Sequence, residues 1–314
     1  MMKLQQLRYV LEIVRHGNHL SAAAKALHTS QPGVSRQVQL LEAELGFGVF
    51  VRTRNRIIGL SEPGREVLAI AKRLAADMNA LRALKDDISG SNRGTLTIAT
   101  THTQARYVLP NVIKTFITAY PEVRLVLKQG DPEEICALVD SGDADLAIGT
   151  ETTRRYPDLV RLECYKLERS VVAKVGHPVL DVEPLTLEAI AAHPIITYGP
   201  RYSGYRKVMK AFKDAGIEPK IILSVIDADV SKTYVEMGLG IAILTSITVE
   251  PARDSGIKAR DARHLFESST VAITLRSNTY VRPFILDFIG ATAAHLTPTV
   301  VREALANASR SKTK

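Results

Sequence analysis

The sequence has no apolar run approaching the roughly 18–20 residues that a membrane-spanning helix needs. Its longest apolar stretches, such as GIAIL at residues 240–244, are the length of a strand. A membrane partner is therefore not expected. Cysteine is scarce, with Cys136 and Cys164 alone, which excludes a disulfide framework and a cysteine-built metal cluster. The signatures of common catalysts are missing too: there is no phosphate-binding P-loop, no GxGxxG, no HExxH and no GxSxG. The eight histidines are scattered, and His16 and His19 share a spacing with no third ligand in view. Neither an enzyme nor a resident cofactor or metal is expected. The opening residues are interrupted by charges and lack the apolar core and small-residue cleavage site of a signal peptide, so a cytoplasmic location is expected.

What is present is length and an uneven charge. At 314 residues and 34.4 kDa the chain is long enough for two or three domains. The net charge of +8 is concentrated: residues 1–93 hold 14 Lys and Arg against 8 Asp and Glu, the last five residues add 3 basic groups, and residues 94–309 hold 24 against 25. A basic leading segment on a neutral body suggests that one part meets a polyanion while the rest does something else.

Within that leading segment, Leu7, Val10, Leu11 and Val14 recur at helical spacing and stop at Gly17. Ser21 is a candidate cap for a short Ala-rich second helix running to Leu27, and His28–Thr29 reads as a tight turn. Ser30 is placed to cap a third helix, with Pro32 in its first turn and Gly46 as its stop. Val34, Val38, Leu41 and Leu45 make one apolar stripe. Gln31, Ser35, Arg36 and Gln39 occupy the opposite face, where planar and hydroxyl groups suit base edges and phosphates. This is the pattern of a DNA-reading helix-turn-helix, with Ser30 and Pro32 at the leading edge; the plainer alternative is a helical hairpin with a solvated polar face. Residues 46–64 then have β-rich ends around a basic tip. They read as a hairpin wing that offers Arg52, Arg54 and Arg56 to a DNA backbone or minor groove.

From Glu62 the chain is helical again for about 25 residues, with Val67, Ala71, Leu74, Met78, Leu81 and Ile88 at coiled-coil-like spacing, interrupted at Lys85. Such a stripe calls for a second copy of the helix or for the chain's own next domain. Residues 89–94, SGSNRG, read as a hinge.

In this order of elements, with TSQPGVSRQVQLLEAELG at residues 29–46 and LSEPG at 60–64, the chain resembles the LysR family of bacterial transcription regulators over all but its last dozen or so residues. The resemblance implies a dimer formed through the long helix, usually assembled into a tetramer on promoter DNA. It also implies RNA polymerase as a further partner and a separate effector domain.

Beyond the hinge, strands and helices alternate as in open parallel sheets: strands near 95–100, 124–130 and 145–150, then a second series near 169–175, 195–199, 221–227 and 240–246. A strand at 270–277 and a helix at 281–295 return to the first series. The fold expected is an α/β effector domain of two lobes, resembling periplasmic solute-binding proteins, preceded by an all-α winged helix-turn-helix and a long linker helix. The boundaries expected are 1–61 for the DNA-binding domain, 62–89 for the linker, 94–163 plus 269–296 for lobe 1, 164–268 for lobe 2, and 300–314 for a tail whose last residues lack order.

Ligands of such sheets sit beyond the carboxyl ends of the strands. There the first strand runs into Thr100, Thr101, His102, Thr103 and Gln104 at a helix start, the third ends at Thr150, and Ser203 precedes another helix start in the second lobe. These are neutral donors beside partial positive charges, which suits a small, fully deprotonated oxyanion such as sulfate. Alternatively the threonines are ordinary helix caps. His102 is read as a structural or ligand-orienting group rather than a general base, since no nucleophile or paired carboxylate stands beside it.

The opening MKLQQLRY, IATTHTQARYVLP at 98–110 and DADVSKTYVEMGLG at 227–240 are similar to the CysB subgroup of the family. That subgroup comprises the cysteine-regulon activator and its relatives for sulfonate and sulfate-ester use. The resemblance implies a sulfate site at Thr101, Thr103, Gln104 and Thr150, with Ser203 where the subgroup has threonine. Arg201 brings a charge that the subgroup pattern lacks, and Leu167 replaces a bulky aromatic residue. The function expected is DNA-binding regulation of sulfur assimilation, controlled by sulfate, adenosine phosphosulfate, O-acetylserine or N-acetylserine. A solute-binding transport protein, or a DNA-binding protein with a vestigial sensor, are the alternatives.

Overall fold

A computed structural model describes residues 2–54, 56–88, 93–277 and 279–310. The chain forms two compact units that part after Ile88.

In the first unit, α1 (Leu4–Arg15), α2 (Leu20–Ala26) and α3 (Gln31–Leu45) are followed by the hairpin β1 (Phe50–Thr53) and β2 (Arg56–Leu60), then α4 (Glu62–Ile88). Leu7, Val10 and Ile13 of α1 meet Val34, Val38 and Leu41 of α3, and the small Ala23 and Ala24 let α2 lie close against them. The Ser30 hydroxyl accepts the Gly33 N–H at 3.2 Å, and Gly46 ends α3 in the left-handed conformation at φ 78°. The cap expected at Ser21 is not there. The helix begins two residues earlier, with His19 as its N-cap, and the Ser21 hydroxyl donates instead to Gln31 Oε1 at 2.9 Å.

The apolar stripe of α4 divides in two. Val67 and Ala71, with Leu68 and Leu74 against them, complete the core of this same unit. Met78, Leu81, Leu84 and Ile88 are exposed. The side chain of Lys85, the hinge residues 89–92 and the wing-tip residue Asn55 lie outside the described residues.

The turn from β2 into α4 demands a glycine. A Cβ on Gly64 would stand 1.9 Å from the Val49 carbonyl oxygen and 2.9 Å from Ser61 Oγ, the atom that accepts the Gly64 N–H. Because the obstacle is backbone, it cannot swing aside. Gly64→Ala is expected to destabilise the unit by about 3 kcal/mol, at the upper end of overpacking penalties. That corresponds to a fall in its thermal midpoint of roughly 12 °C or more; a midpoint within a few degrees of wild type contradicts the packing.

The second unit holds two five-stranded sheets. Lobe 1 has the order β4-β3-β5-β12-β6 and lobe 2 the order β11-β7-β10-β8-β9. In lobe 1, β3 (Gly94–Thr100) runs parallel to β4 (Val123–Gln129) and β5 (Leu146–Gly149), while β12 (Ser269–Arg276) is antiparallel to β5 and to β6 (Leu159–Leu167). In lobe 2, β8 (Ile195–Tyr198) pairs in parallel with β9 (Ile221–Val225) and β10 (Ile241–Thr245), and β7 (Arg169–Lys174) is antiparallel to β10 and to β11 (Ile257–Asp261). The helices α5 (Leu109–Ala119) and α6 (Pro132–Asp140) belong to lobe 1, and α7 (Leu187–Ala191), α8 (Ser203–Asp214) and α9 (Ala228–Glu236) to lobe 2.

Three expectations need correction. The strands β6 and β11 were not foreseen. Neither is followed by a helix that would continue the repeating strand–helix rhythm, β6 leading directly to β7 and β11 to β12. Because β6 continues to Leu167, the chain leaves lobe 1 at Glu168 and not at 163–164. The segment expected as a tail from residue 300 is helical: α10 (Pro283–Thr292) is followed by α11 (Pro298–Arg310), whose Val301 and Leu305 are buried in the lobe 1 core. Residues 311–314 lie outside the described residues.

Candidate functional site

The two chain crossings, at Glu168 and at residues 262–268, bring the carboxyl ends of the parallel strands of both lobes to one cleft. The TTHTQ run leaves β3 into this cleft and enters a π-helical turn at Gln104–Val108 before α5. Such turns widen the helix by one residue and recur at functional sites.

The run's side chains have different roles. The buried Thr100 hydroxyl donates to the Ile148 carbonyl at 3.0 Å, which ties β3 to β5 and commits its proton there. Thr101 is buried at the strand end. The half-buried Thr103 stands beside the phenol of Tyr198, with Thr245 flanking the same hydroxyl. Gln104 is fully buried; its Oε1 accepts from the Tyr165 hydroxyl, while its Nε2 has no partner. The Tyr198 and Thr245 hydroxyls likewise have none, and burial pushes the Tyr198 phenol up to about 12, so it stays protonated at neutral pH. The deep part of the cleft thus holds polar groups without well-formed hydrogen bonds, the Tyr198, Thr103 and Thr245 hydroxyls meeting only one another, which buried polar groups seldom tolerate.

His102 lies nearer the surface, its Nε2 3.8 Å from Asp229 Oδ2 and its Nδ1 without a partner. Among the described residues, ligand atoms of His102, Asp227 and Asp229 come within 4.8 Å of one another. Their carboxylates are already engaged: Asp229 Oδ1 accepts from the Tyr107 hydroxyl at 2.7 Å, and Asp227 Oδ1 caps α9 by accepting the Val230 N–H at 2.8 Å.

Thr150 is half-buried after β5, and its carbonyl accepts from Arg161 Nη1 at 3.3 Å. Ser203 is the first residue of α8 and is buried; its hydroxyl donates to Ser269 Oγ at 3.0 Å. Arg201 is exposed at the cleft mouth, and its Nη1 pairs with Asp131 Oδ2 at 2.8 Å and Glu134 Oε1 at 3.4 Å. Burial pushes the Asp131 carboxyl up, but Arg201 and the N–H groups of Glu134 and Glu133 outweigh it and hold it below its ordinary value. Arg201 therefore bridges lobe 2 to lobe 1 at the mouth. The open cavity there, about 580 Å³, is lined by His102, Asp131, Arg201, Tyr202 and Asp227 among others, and not by the deep donors.

Sequence reasoning missed Tyr198, Thr245, Ser269 and above all Arg169. Arg169 is 2% exposed, and its Nη2 donates to Ser269 Oγ at 2.6 Å. The available signal was an arginine opening a strand with a wholly apolar centre, RSVVAKV. Without β6 in view, that position could not be recognised as the crossing.

In the first unit, Gln31, Pro32, Arg36 and Gln39 are exposed along one face of α3 with Ser35 half-buried among them. The Gln31 amide oxygen is held by Ser21, and the Ser30 hydroxyl by its cap. On the wing, Arg52 Nη2 pairs with Glu42 Oε2 of α3 at 2.8 Å, whereas Arg54, at φ 55°, and Arg56 project as exposed residues.

Comparison with known proteins gives this geometry a family. Residues 4–65 match the bacterial regulatory helix-turn-helix proteins of the lysR family, and residues 89–297 match the LysR substrate binding domain. The HTH-type transcriptional regulator SsuR of Burkholderia cenocepacia is 44% identical over 94% of this chain and 96% of its own length. The HTH-type transcriptional regulator CysB of Haemophilus influenzae is 42% identical over 96% and 94%. Among solved structures, the cofactor-binding domain of the Cbl transcriptional regulator is 39% identical, with a TM-score of 0.65 over 68% of this chain and 94% of that one. This chain therefore belongs to the LysR family of bacterial regulatory helix-turn-helix proteins, with the family's DNA-reading element in its first compact unit and its substrate binding domain in its second.

Proposed function

We propose that the protein is a cytoplasmic regulator of sulfur assimilation that binds promoter DNA and is controlled by sulfate or a related sulfur metabolite in the interlobe cleft. The carrying observation is the set of buried polar groups without well-formed hydrogen bonds around Thr103, Gln104 and Tyr198, at the point where both lobes present their strand ends. The TTHTQ run that supplies part of this set, together with the likeness to SsuR, CysB and Cbl, favours a sulfur oxyanion over other small anions. Thr101, Thr103, Gln104, Thr150 and Ser203 are the proposed ligand-binding residues. Gln31, Pro32, Ser35, Arg36 and Gln39 read the DNA, with Arg54 and Arg56 on its backbone. The exposed half of α4 joins two copies, and two such dimers make a tetramer on DNA. Effector binding favours one arrangement of lobes or subunits in proportion to its differential affinity for the two, and so alters promoter contacts and RNA polymerase recruitment.

The test is calorimetric titration of the full-length protein with sulfate, phosphate, adenosine phosphosulfate, O-acetylserine and N-acetylserine. Saturable sulfate binding is expected. In Thr103→Val it weakens roughly 10- to 150-fold, the effect of losing one hydrogen bond to a charged group, while promoter binding is retained. Selective binding of another of these metabolites replaces sulfate as the signal. Binding of none by the folded protein overturns the effector reading.

A further inference from the structure

Arg169 is the largest fully buried side chain of the molecule's described residues, and it is charged. It opens β7 directly after the Glu168 crossing, opposite Thr245 in the β7–β10 ladder, and its Nη2 reaches Ser269, the first residue after the return crossing. Its surroundings do not neutralise it. Nη1 has no hydrogen-bond partner. The carboxylates that act on it through space are Glu151 and Glu168. Neither is ion-paired with it: Glu151 Oε1 is occupied by Lys207 at 3.0 Å and by the Thr270 N–H at 2.8 Å, while its Oε2 is buried without a hydrogen-bond partner.

The helix beside Arg169 adds to the imbalance. A Cβ on Gly204 would lie 2.9 Å from Arg169 Nη2, so the missing side chain lets the guanidinium rest against the first turn of α8, the positive end of a twelve-residue helix. The helix N-cap, Tyr202, gives no side-chain cap. A cation buried against a helix N-terminus, with a free N–H and hydroxyls of Ser203, Tyr198 and Thr245 around it, is an arrangement of like sign that an anion resolves. Burial pulls the pKa of Arg169 down from its ordinary value, yet guanidinium remains protonated in proteins.

We propose that Arg169 is a direct effector-binding residue whose guanidinium supplies the charge that selects a fully ionised tetrahedral oxyanion over neutral and zwitterionic molecules of similar size. The proposal deepens the sulfur-effector reading and rests on it. It changes the chemistry of the site from an array of neutral donors to a charged one. It also gives the bound anion a grip on both crossings through the Arg169–Ser269–Ser203 chain.

The experiment is sulfate titration of full-length wild-type, Arg169→Met, Arg169→Lys and Thr103→Val proteins at constant ionic strength held with chloride, with thermal midpoints measured with and without sulfate. In Arg169→Met, sulfate affinity is expected to fall at least 50-fold and the sulfate-induced rise in midpoint to vanish. The sulfate-free midpoint stays equal to wild type or rises, because an uncompensated buried charge has been removed. A merely structural strut would instead lower the sulfate-free midpoint and leave affinity intact. Arg169→Lys keeps the charge but sets it back from the anion, and is expected to lose about tenfold. If the methionine variant does not fold, the lysine variant decides. Sulfate affinity within threefold of wild type in either folded variant overturns the proposal. Binding lost in Thr103→Val but intact in Arg169→Met overturns the role of Arg169 alone, whereas a wild-type protein that binds no sulfate overturns the sulfate site and this proposal together.

Discussion

Replacing Arg54 and Arg56 together by alanine is expected to flatten the salt dependence of promoter binding. If each arginine neutralises one phosphate, a dimer loses four contacts, and the slope of log K against log salt concentration becomes shallower by about 3.6. Affinity at 50 mM salt falls steeply, while affinity at 200 mM falls far less. Arg52→Ala behaves differently, because its guanidinium is already paired with Glu42, whose Oε1 also accepts the Val49 and Phe50 N–H groups at 2.8 and 3.1 Å. That substitution loosens the root of the wing and leaves the slope nearly unchanged. Binding isotherms at four or more salt concentrations read both effects, and an unchanged slope in the double variant removes the wing from the DNA interface.

The second large effect concerns assembly. Leu81→Asp with Leu84→Asp places two charges per copy on the exposed half of α4, where Leu81 is 65% and Leu84 38% exposed. Neither residue contributes to the core of the first unit, so the circular dichroism spectrum and the thermal midpoint of that unit should hold. Dimerisation should fail, because four carboxylates would have to be desolvated at the seam. With one reading head in place of two, promoter affinity should fall by roughly 100-fold or more, the scale of avidity lost when linked sites are separated. Sedimentation and DNA titration on the same preparation check this. A variant that remains dimeric shows that the exposed stripe of α4 is not the seam.

Local sequence carried the first unit almost completely. Ser30, Pro32 and Gly46 bound α3, and the Val34–Val38–Leu41 stripe states which face is buried, because capping and periodicity are properties of neighbouring residues. The strand–helix rhythm likewise exposed the parallel parts of both sheets, and the TTHTQ run marked one wall of the cleft. The antiparallel strands β6 and β11 carry no such rhythm. The fate of residues 300–310 depended on whether Val301 and Leu305 find a surface to cover, and lobe 1 supplies it.

A basic helix-turn-helix unit ahead of a two-lobed α/β effector unit, with hydroxyl and amide donors at the strand ends, was legible in local pattern alone. Tertiary structure alone decided which of these donors are free. Thr100 is consumed by Ile148 and Arg201 by Asp131, while Gln104 Nε2 and Arg169 Nη1 are left unpaired in the interior. Pairing of this kind joins residues as far apart as Arg169 and Ser269, whose meeting depends on where the chain crosses between lobes. Burial then fixes its energetic weight, because a charge that water would solvate on the surface must find a partner inside.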